Sequence, residues 1–325
     1  EKVNSLIISI MENPLRADQL LNPDFSEIAA QSLLDTLGFT DSPAHLRRLR
    51  RMAASSPQVA AAMGELLPHL LASLAACADP DQALINLERF AGDGQAVAIF
   101  TKLAEYPRAL EILVTIFAGS QFLTEILLRS PGRLDLLTDR EALTRLKKAE
   151  NYETEGLESM RALAAPGAEL DALRRYQHGE LLRIGACDLL DLYDLPTVTA
   201  QLSALADGMT RACLAYASDR TGVSPQGFVV LAMGKLGGRE LNYSSDIDLL
   251  FLADFESPEK VRLGQQFIEA LSSVTSEGFL YRVDMRLRPW GRDGSLISTL
   301  QGYLNYLHKH ARLWEKQALI KARPI

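Results

Sequence analysis

The sequence predicts an α+β chain: a helical N-terminal region, then a core with a small mixed sheet and flanking helices. Three observations predict it. From residue 1 to about 160, apolar residues recur at helical spacing and alternating strand patterns are absent. After 222–227 the character changes, and short β-type runs at 228–233, 247–252 and 280–287 alternate with turn or helical stretches. At 325 residues the chain is long for one domain and comfortable for two. The expected division is 1–165 for the helical region and 166–325 for the core with its preceding helices.

Each element has a local reason. Asp79 can cap a helix that starts with Pro80 and carries Leu84, Leu87 and Ala91 at helical spacing. Ser120 starts a helix with Phe122, Ile126 and Leu127 that stops before Pro131-Gly132. Residues 149–167 are polar and then rich in Ala, Pro and Gly, and read as a linker. A helix over 170–192 has Leu173, Tyr176, Leu181 and Ile184 near one stripe, with Arg174, Arg175 and Arg183 elsewhere. Asp194-Leu195-Pro196 interrupts the chain before a helix over 197–217, and 222–227 is a turn. Gly237-Gly238 opens a short helix or turn after the first strand. Ser257-Pro258 starts a helix running to about 276. Pro289 ends the third strand, Ser298 caps the next helix, and 311–322 is helical.

Composition excludes several classes. Hydrophobic residues at 47% and charged residues at 23% are ordinary for a soluble globular protein. A net charge of -7 argues against nonspecific binding to nucleic acid or an anionic membrane, which attract basic surfaces. No apolar run reads as long enough to span a bilayer, and no signal peptide is seen. The chain starts Glu1-Lys2-Val3, without Met, and reads as a fragment. Cys77, Cys187 and Cys213 are scattered through helical apolar patterns, as buried thiols of a reducing cytoplasm would be. His45, His69, His178, His308 and His310 lack metal-binding spacing and read as core or surface residues.

The chemistry concentrates in Gly234-Lys235-Leu236-Gly237-Gly238-Arg239-Glu240-Leu241-Asn242-Tyr243-Ser244-Ser245-Asp246-Ile247-Asp248. Side chains alternate across a strand, so Asp246, Asp248 and Leu250 share one face while Ile247, Leu249 and Phe251 share the other. In the third strand Arg282, Asp284, Arg286 and Arg288 share a face opposite Val283, Met285 and Leu287. If the two strands are neighbours, Asp246, Asp248 and Asp284 converge, and like charges that close need a cation. Magnesium, hard and oxygen-preferring, suits such carboxylates together with substrate phosphates. Gly237 and Gly238 let the backbone approach a phosphate, Ser244 and Ser245 can donate hydroxyls, and Arg286 and Arg288 can neutralise phosphate charge. The combination reads as a nucleotidyl-transfer site. A P-loop fails, because Leu236 follows Lys235 where Ser or Thr is needed, and no Gly-x-Gly-x-x-Gly fingerprint is present.

The stretch from Gly234 to Phe251 resembles the nucleotidyltransferase motif of the glutamine synthetase adenylyltransferases, bifunctional adenylylating and deadenylylating enzymes of bacterial nitrogen control. Tyr281-Arg282-Val283-Asp284-Met285-Arg286-Leu287-Arg288-Pro289 with Gly291 and Gly294 is similar to the family's second signature, and Trp314-Glu315-Lys316-Gln317-Ala318-Leu319-Ile320-Lys321-Ala322-Arg323 to its third. The likeness extends, more weakly, forward to about Ala118. It implies a polymerase-β-like nucleotidyltransferase core with Asp246, Asp248 and Asp284 as catalytic, Mg2+-binding carboxylates. It also implies that Gly237, Gly238, Ser244, Ser245, Arg286 and Arg288 bind nucleotide or phosphate, with Lys321 and Arg323 at the rim. The wording around Asp246 and Asp284 looks more like the N-terminal half of that family, which removes AMP from adenylylated glutamine synthetase by phosphorolysis and releases ADP. The alternatives are adenylyl transfer from ATP to glutamine synthetase and a non-catalytic docking module. The implied partners are glutamine synthetase, phosphate and ADP or ATP, with the PII signal protein as a candidate regulator and neither nucleic acid nor membrane.

Overall fold

In the computed structural model, which describes residues 19–22, 24–92, 94–162 and 167–325, helix starts follow the capping chemistry of the sequence. Contact density divides the chain into residues 1–144 with 185–192, and residues 145–184 with 193–325. The first unit holds α1 (Glu27–Thr36), α2 (Ser42–Ala53), α3 (Pro57–Ala76), α4 (Pro80–Phe90), α5 (Ala96–Glu105), α6 (Pro107–Gly119), α7 (Gln121–Arg129), α8 (Leu134–Thr138) and α9 (Arg140–Thr144). Ser26, Asp41, Ser56, Asp79 and Ser120 each accept a first-turn N–H with a side-chain oxygen. Pro57, Pro80 and Pro107 fill first-turn positions whose N–H would go unpaired anyway.

Apolar burial holds this unit together. By length and composition α3 is apolar enough to cross a membrane, contrary to the expectation that no run is. Here it is a core helix: Met63, Leu66, Leu67, Leu70 and Leu71 are buried, and it packs on α5 and α6. Each such leucine contributes about 1.5–3 kcal/mol. Rings of Phe90 and Phe117 meet edge-on at 5.6 Å. His45 is a core histidine, its Nε2 2.7 Å from Asp81. Phe122 stays exposed, whereas Leu123, Ile126 and Leu127 of the same helix are buried. Cys77 is only half-buried, Cys187 and Cys213 are buried, and none of the three forms a disulfide among the described residues.

The second unit holds α10 (Ala149–Arg161), most of α11 (Glu169–Leu189), α12 (Leu195–Thr221), β1 (Phe228–Ala232), α13 (Gly234–Gly237), β2 (Ile247–Ala253) and α14 (Pro258–Ser272). It ends with β3 (Val283–Asp284), β4 (Ile297–Thr299), α15 (Leu300–Lys309), α16 (Leu313–Ala318) and β5 (Arg323–Pro324). The expected linker is largely α10. Its composition is polar, but Tyr152, Gly156 and Met160 recur every four residues, are buried, and belong to a helix that packs on α12. Residues 163–166 of that stretch lie outside the described residues.

β2 is the centre of the sheet. It pairs antiparallel with β1, and β1 in turn pairs antiparallel with β5. Along one edge it pairs parallel with β3 through Ile247 and Asp248, then with β4 through Phe251 to Ala253. Phe251 lies 5.2 Å from Phe228 and 5.5 Å from Phe267 of α14. On the other face Leu250 and Leu252 cluster with Met233 and with Tyr303 of α15. The first two strands fall where the sequence predicts. The third is shorter than 280–287. Leu280 and Tyr281 both donate to the Leu271 carbonyl at 3.1 and 3.0 Å, and after Asp284 the chain turns, with Arg286 N–H donating to Asp284 Oδ1 at 2.8 Å. The cap before α15 is Thr299, one residue beyond the expected Ser298, and Gly302 N–H donates to it at 3.0 Å.

Candidate active site

Parallel register brings the acidic residues together. Ile247 pairs with Val283 and Asp248 with Asp284, so those two carboxylates start from adjacent positions on the same face. Asp246 lies just before β2, and its charge acts on Asp248. The segment that leads into β3 is anchored from α11. Arg174, whose side chain is fully buried, donates from Nη2 to the Ser273 carbonyl at 2.7 Å, and Gln177 donates to the Leu280 carbonyl at 2.9 Å.

Arginines meet two of the three carboxylates. Arg282 Nε donates to Asp246 Oδ1 at 2.5 Å, and its Nη2 donates to the Ser244 carbonyl at 3.0 Å. Arg286 Nε donates to Asp284 Oδ2 at 2.7 Å, and its Nη2 lies 2.5 Å from the same oxygen. These hydrogen bonds from Arg286 hold the Asp284 carboxyl below the usual carboxylate range. Asp248 has no such partner. Burial, then the charges of Asp284 and Asp246, push its carboxyl above the usual range. Among the described residues no set of three His, Cys, Asp or Glu side chains closes around an ion position.

A cleft of about 410 Å³ opens here, lined by Asp246, Val283, Asp284, Met285, Arg286, Arg288 and Arg292. It therefore brings together Asp246, Asp284, Arg286 and Arg288 of the predicted residues, with Asp248 beside Asp284 in register. Ser244, Ser245, Gly237 and Gly238 are not in its lining. Arg288 is committed to its own loop, donating to the carbonyls of Met285, Gly294 and Arg292 at 3.0–3.2 Å.

The glycine pair closes a helical turn rather than opening one. α13 begins at Gly234, whose φ of 54° is left-handed, and ends at Gly237, with Gly238 as its C-cap. A Cβ at Gly234 would collide with the Asp248 carboxylate, and one at Gly237 with the Lys321 carbonyl. So both glycines serve close backbone approach: Gly234 to the acidic site, and Gly237 to the segment before β5. Two cations escaped the sequence reading. Lys235 acts on the Asp248 charge, and Arg292, between Gly291 and Gly294, lines the cleft and acts on Asp284. Their neighbouring glycines were the available signal.

The sequence model of the glutamate-ammonia ligase adenylyltransferases matches residues 110–325, which include this whole site. The chain belongs to that family. Similar proteins include a "Bifunctional glutamine synthetase adenylyltransferase/adenylyl-removing enzyme" of Chromobacterium violaceum, 32% identical over 92% of this chain. A protein of the same description from Thioalkalivibrio sulfidiphilus is 31% identical over 93% of it. The chain spans 35% of the length of each of these relatives.

Proposed function

We propose that this chain carries a nucleotidyltransferase site that removes AMP from the adenylylated tyrosine of glutamine synthetase by phosphorolysis. The observation that carries the reading is the register of Asp248 with Asp284, with Asp246 lining the adjoining cleft. The relatives' description, which includes adenylyl removal, supports the reaction class.

An oxygen of inorganic phosphate attacks the adenylyl phosphorus in line. The bond from phosphorus to the tyrosine oxygen breaks, ADP leaves, and the phenolate takes up a proton. Arg286 and Arg292 line the cleft that admits the anionic groups, and Lys235 adds positive charge beside Asp248. Loose, highly charged transition states of this kind depend on positioning and charge neutralisation.

The donor set fits a hard divalent cation. It consists of carboxylate oxygens, and burial, then the charges of Asp284 and Asp246, push Asp248 above its usual range. Mg2+ would be held by Asp246, Asp248 and Asp284 with substrate phosphate oxygens completing the shell, once Asp246 and Asp284 turn from Arg282 and Arg286. When bound, the ion supplies charge stabilisation at the phosphoryl oxygens.

The test is ADP release from adenylylated glutamine synthetase with Mg2+ and phosphate. Release that needs phosphate and vanishes in Asp246→Asn is expected. Asp284→Ala should lower kcat by about 10²–10³, the loss typical of a deleted charge-stabilising group. AMP incorporation from ATP into unmodified glutamine synthetase, without ADP release, would replace this reading with the forward reaction.

A further inference from the structure

We infer that Arg323 is a positioning residue, which together with Asp207 sets the place of the α13 turn. The inference rests on the proposed reaction only in that the turn is taken to serve catalysis. Within β5 the Arg323 backbone pairs with Ala232 at the end of β1. Its side chain does not reach the rim of the acidic cleft. Instead Nη2 donates to Asp207 Oδ1 on α12 at 2.8 Å and to the Leu236 carbonyl at 3.0 Å. Leu236 lies inside α13.

The turn has no slack at either end. Gly234 rests against the Asp248 carboxylate, and Gly237 rests against the Lys321 carbonyl, at distances that admit no Cβ. Lys321 Nζ pairs with Glu240 just past the turn. Residues 321–323 therefore form one wall and Asp248 the other, and the Arg323–Leu236 bond joins the turn to the first wall. Leu236 lies between these two contacts, so the Arg323 bond holds the turn where Gly234 meets Asp248.

A plain ion pair does not account for the geometry. Asp207 is buried, and burial pushes its carboxyl above the usual range, with the Arg323 guanidinium offsetting only part of that cost. Yet Arg323 Nε is itself buried and has no acceptor among the described residues. The guanidinium is aimed at the Asp207 and Leu236 oxygens at the expense of its own Nε–H. A lysine keeps the charge for Asp207, but its ammonium is a point charge on a flexible stem and does not hold a donor fixed between the Asp207 and Leu236 oxygens.

Arg323→Lys and Asp207→Asn separate positioning from stability. Amide hydrogen exchange over 233–246 reads the turn without any assumption about the reaction. Exchange at Gly237 and Gly238 should rise by about tenfold in Arg323→Lys, while global unfolding moves little. In the deadenylylation assay kcat should fall by about 30-fold with KM for phosphate within about threefold, since misplacement costs rate rather than binding. Asp207→Asn should reproduce both effects, and the double variant should add little, because the two residues act as one unit. Unchanged exchange at Gly237 and Gly238 in both variants, with only a lowered unfolding midpoint, would overturn the inference. If the unmodified chain releases no ADP, the proposed reaction falls, and the exchange result still decides the role of Arg323.

Discussion

The second unit contains two clusters of charged side chains that differ in one respect: whether the charges are balanced. In the first, Arg183 donates to Glu180 at 2.7 Å, to the Tyr152 hydroxyl at 2.7 Å and to the Arg145 carbonyl at 2.6 Å. Lys147 meets Glu155 at 2.5 Å and Glu180 at 2.7 Å, and the Tyr152 hydroxyl donates to Gln201 at 2.9 Å. Each buried charge there has an opposite charge in reach. In the second cluster Asp246 and Asp284 are paired, while Asp248 faces two like charges. The first arrangement stabilises the fold. The second retains an electrostatic cost that a bound cation would relieve, as functional sites commonly do.

The largest expected effect tests whether the balanced cluster defines the folding unit. A division at 165/166 proposes that residues 166–325 fold alone. The ties of Tyr152 and Lys147 to Arg183, Glu180 and Gln201 argue for a boundary at 144/145. A chain starting at Arg145 should unfold cooperatively in urea. One starting at residue 166 should lose that transition, because it removes Arg145, Lys147 and Tyr152, which partner Arg183 and Glu180. Equal transitions from both would place the boundary at 165/166.

A single substitution should have a smaller effect by the same mechanism. Arg183→Ala should destabilise the unit by about 3–5 kcal/mol, because it leaves buried Glu180 with Lys147 alone and removes the donor to the Tyr152 oxygen. Chemical unfolding measures it. A loss below about 1 kcal/mol, the range of an exposed ion pair, would mean that the cluster is hydrated and the contrast between the clusters is false.

How much of this was legible in the sequence follows from the range of the interactions. The β1 and β2 runs and the caps at Asp79, Ser120 and Ser257 were readable, because strand alternation and capping are local. So was the adjacency of Asp248 and Asp284, given neighbouring strands. The early end of β3 was not, because it depends on Leu271 and on a turn closed by Asp284 itself. α10 was missed because its apolar stripe is narrow and its polar residues include the buried network. The role of Gly237 was misread, since its close neighbour is Lys321, distant in sequence. Composition identifies a glycine as permissive without saying what approaches it.

The smallest expected effect is the sharpest test of imbalance. Asp248 is a carboxylate whose folded-state titration lies above its unfolded one, through burial and the charges of Asp284 and Asp246. A raised carboxylate costs no stability while it is protonated in both states. The cost grows as pH rises from the unfolded value, about 3.9, through the folded one, and is constant above it. Asp248→Asn removes that titration while keeping a side chain of the same shape. Its unfolding midpoint should therefore exceed that of the unmodified chain at pH 7 by a small margin, and the margin should vanish as pH falls toward about 4. Turnover should be lost at every pH. If the Asn variant is less stable at pH 7, Asp248 is balanced by Lys235 and Arg286, and the two clusters are alike.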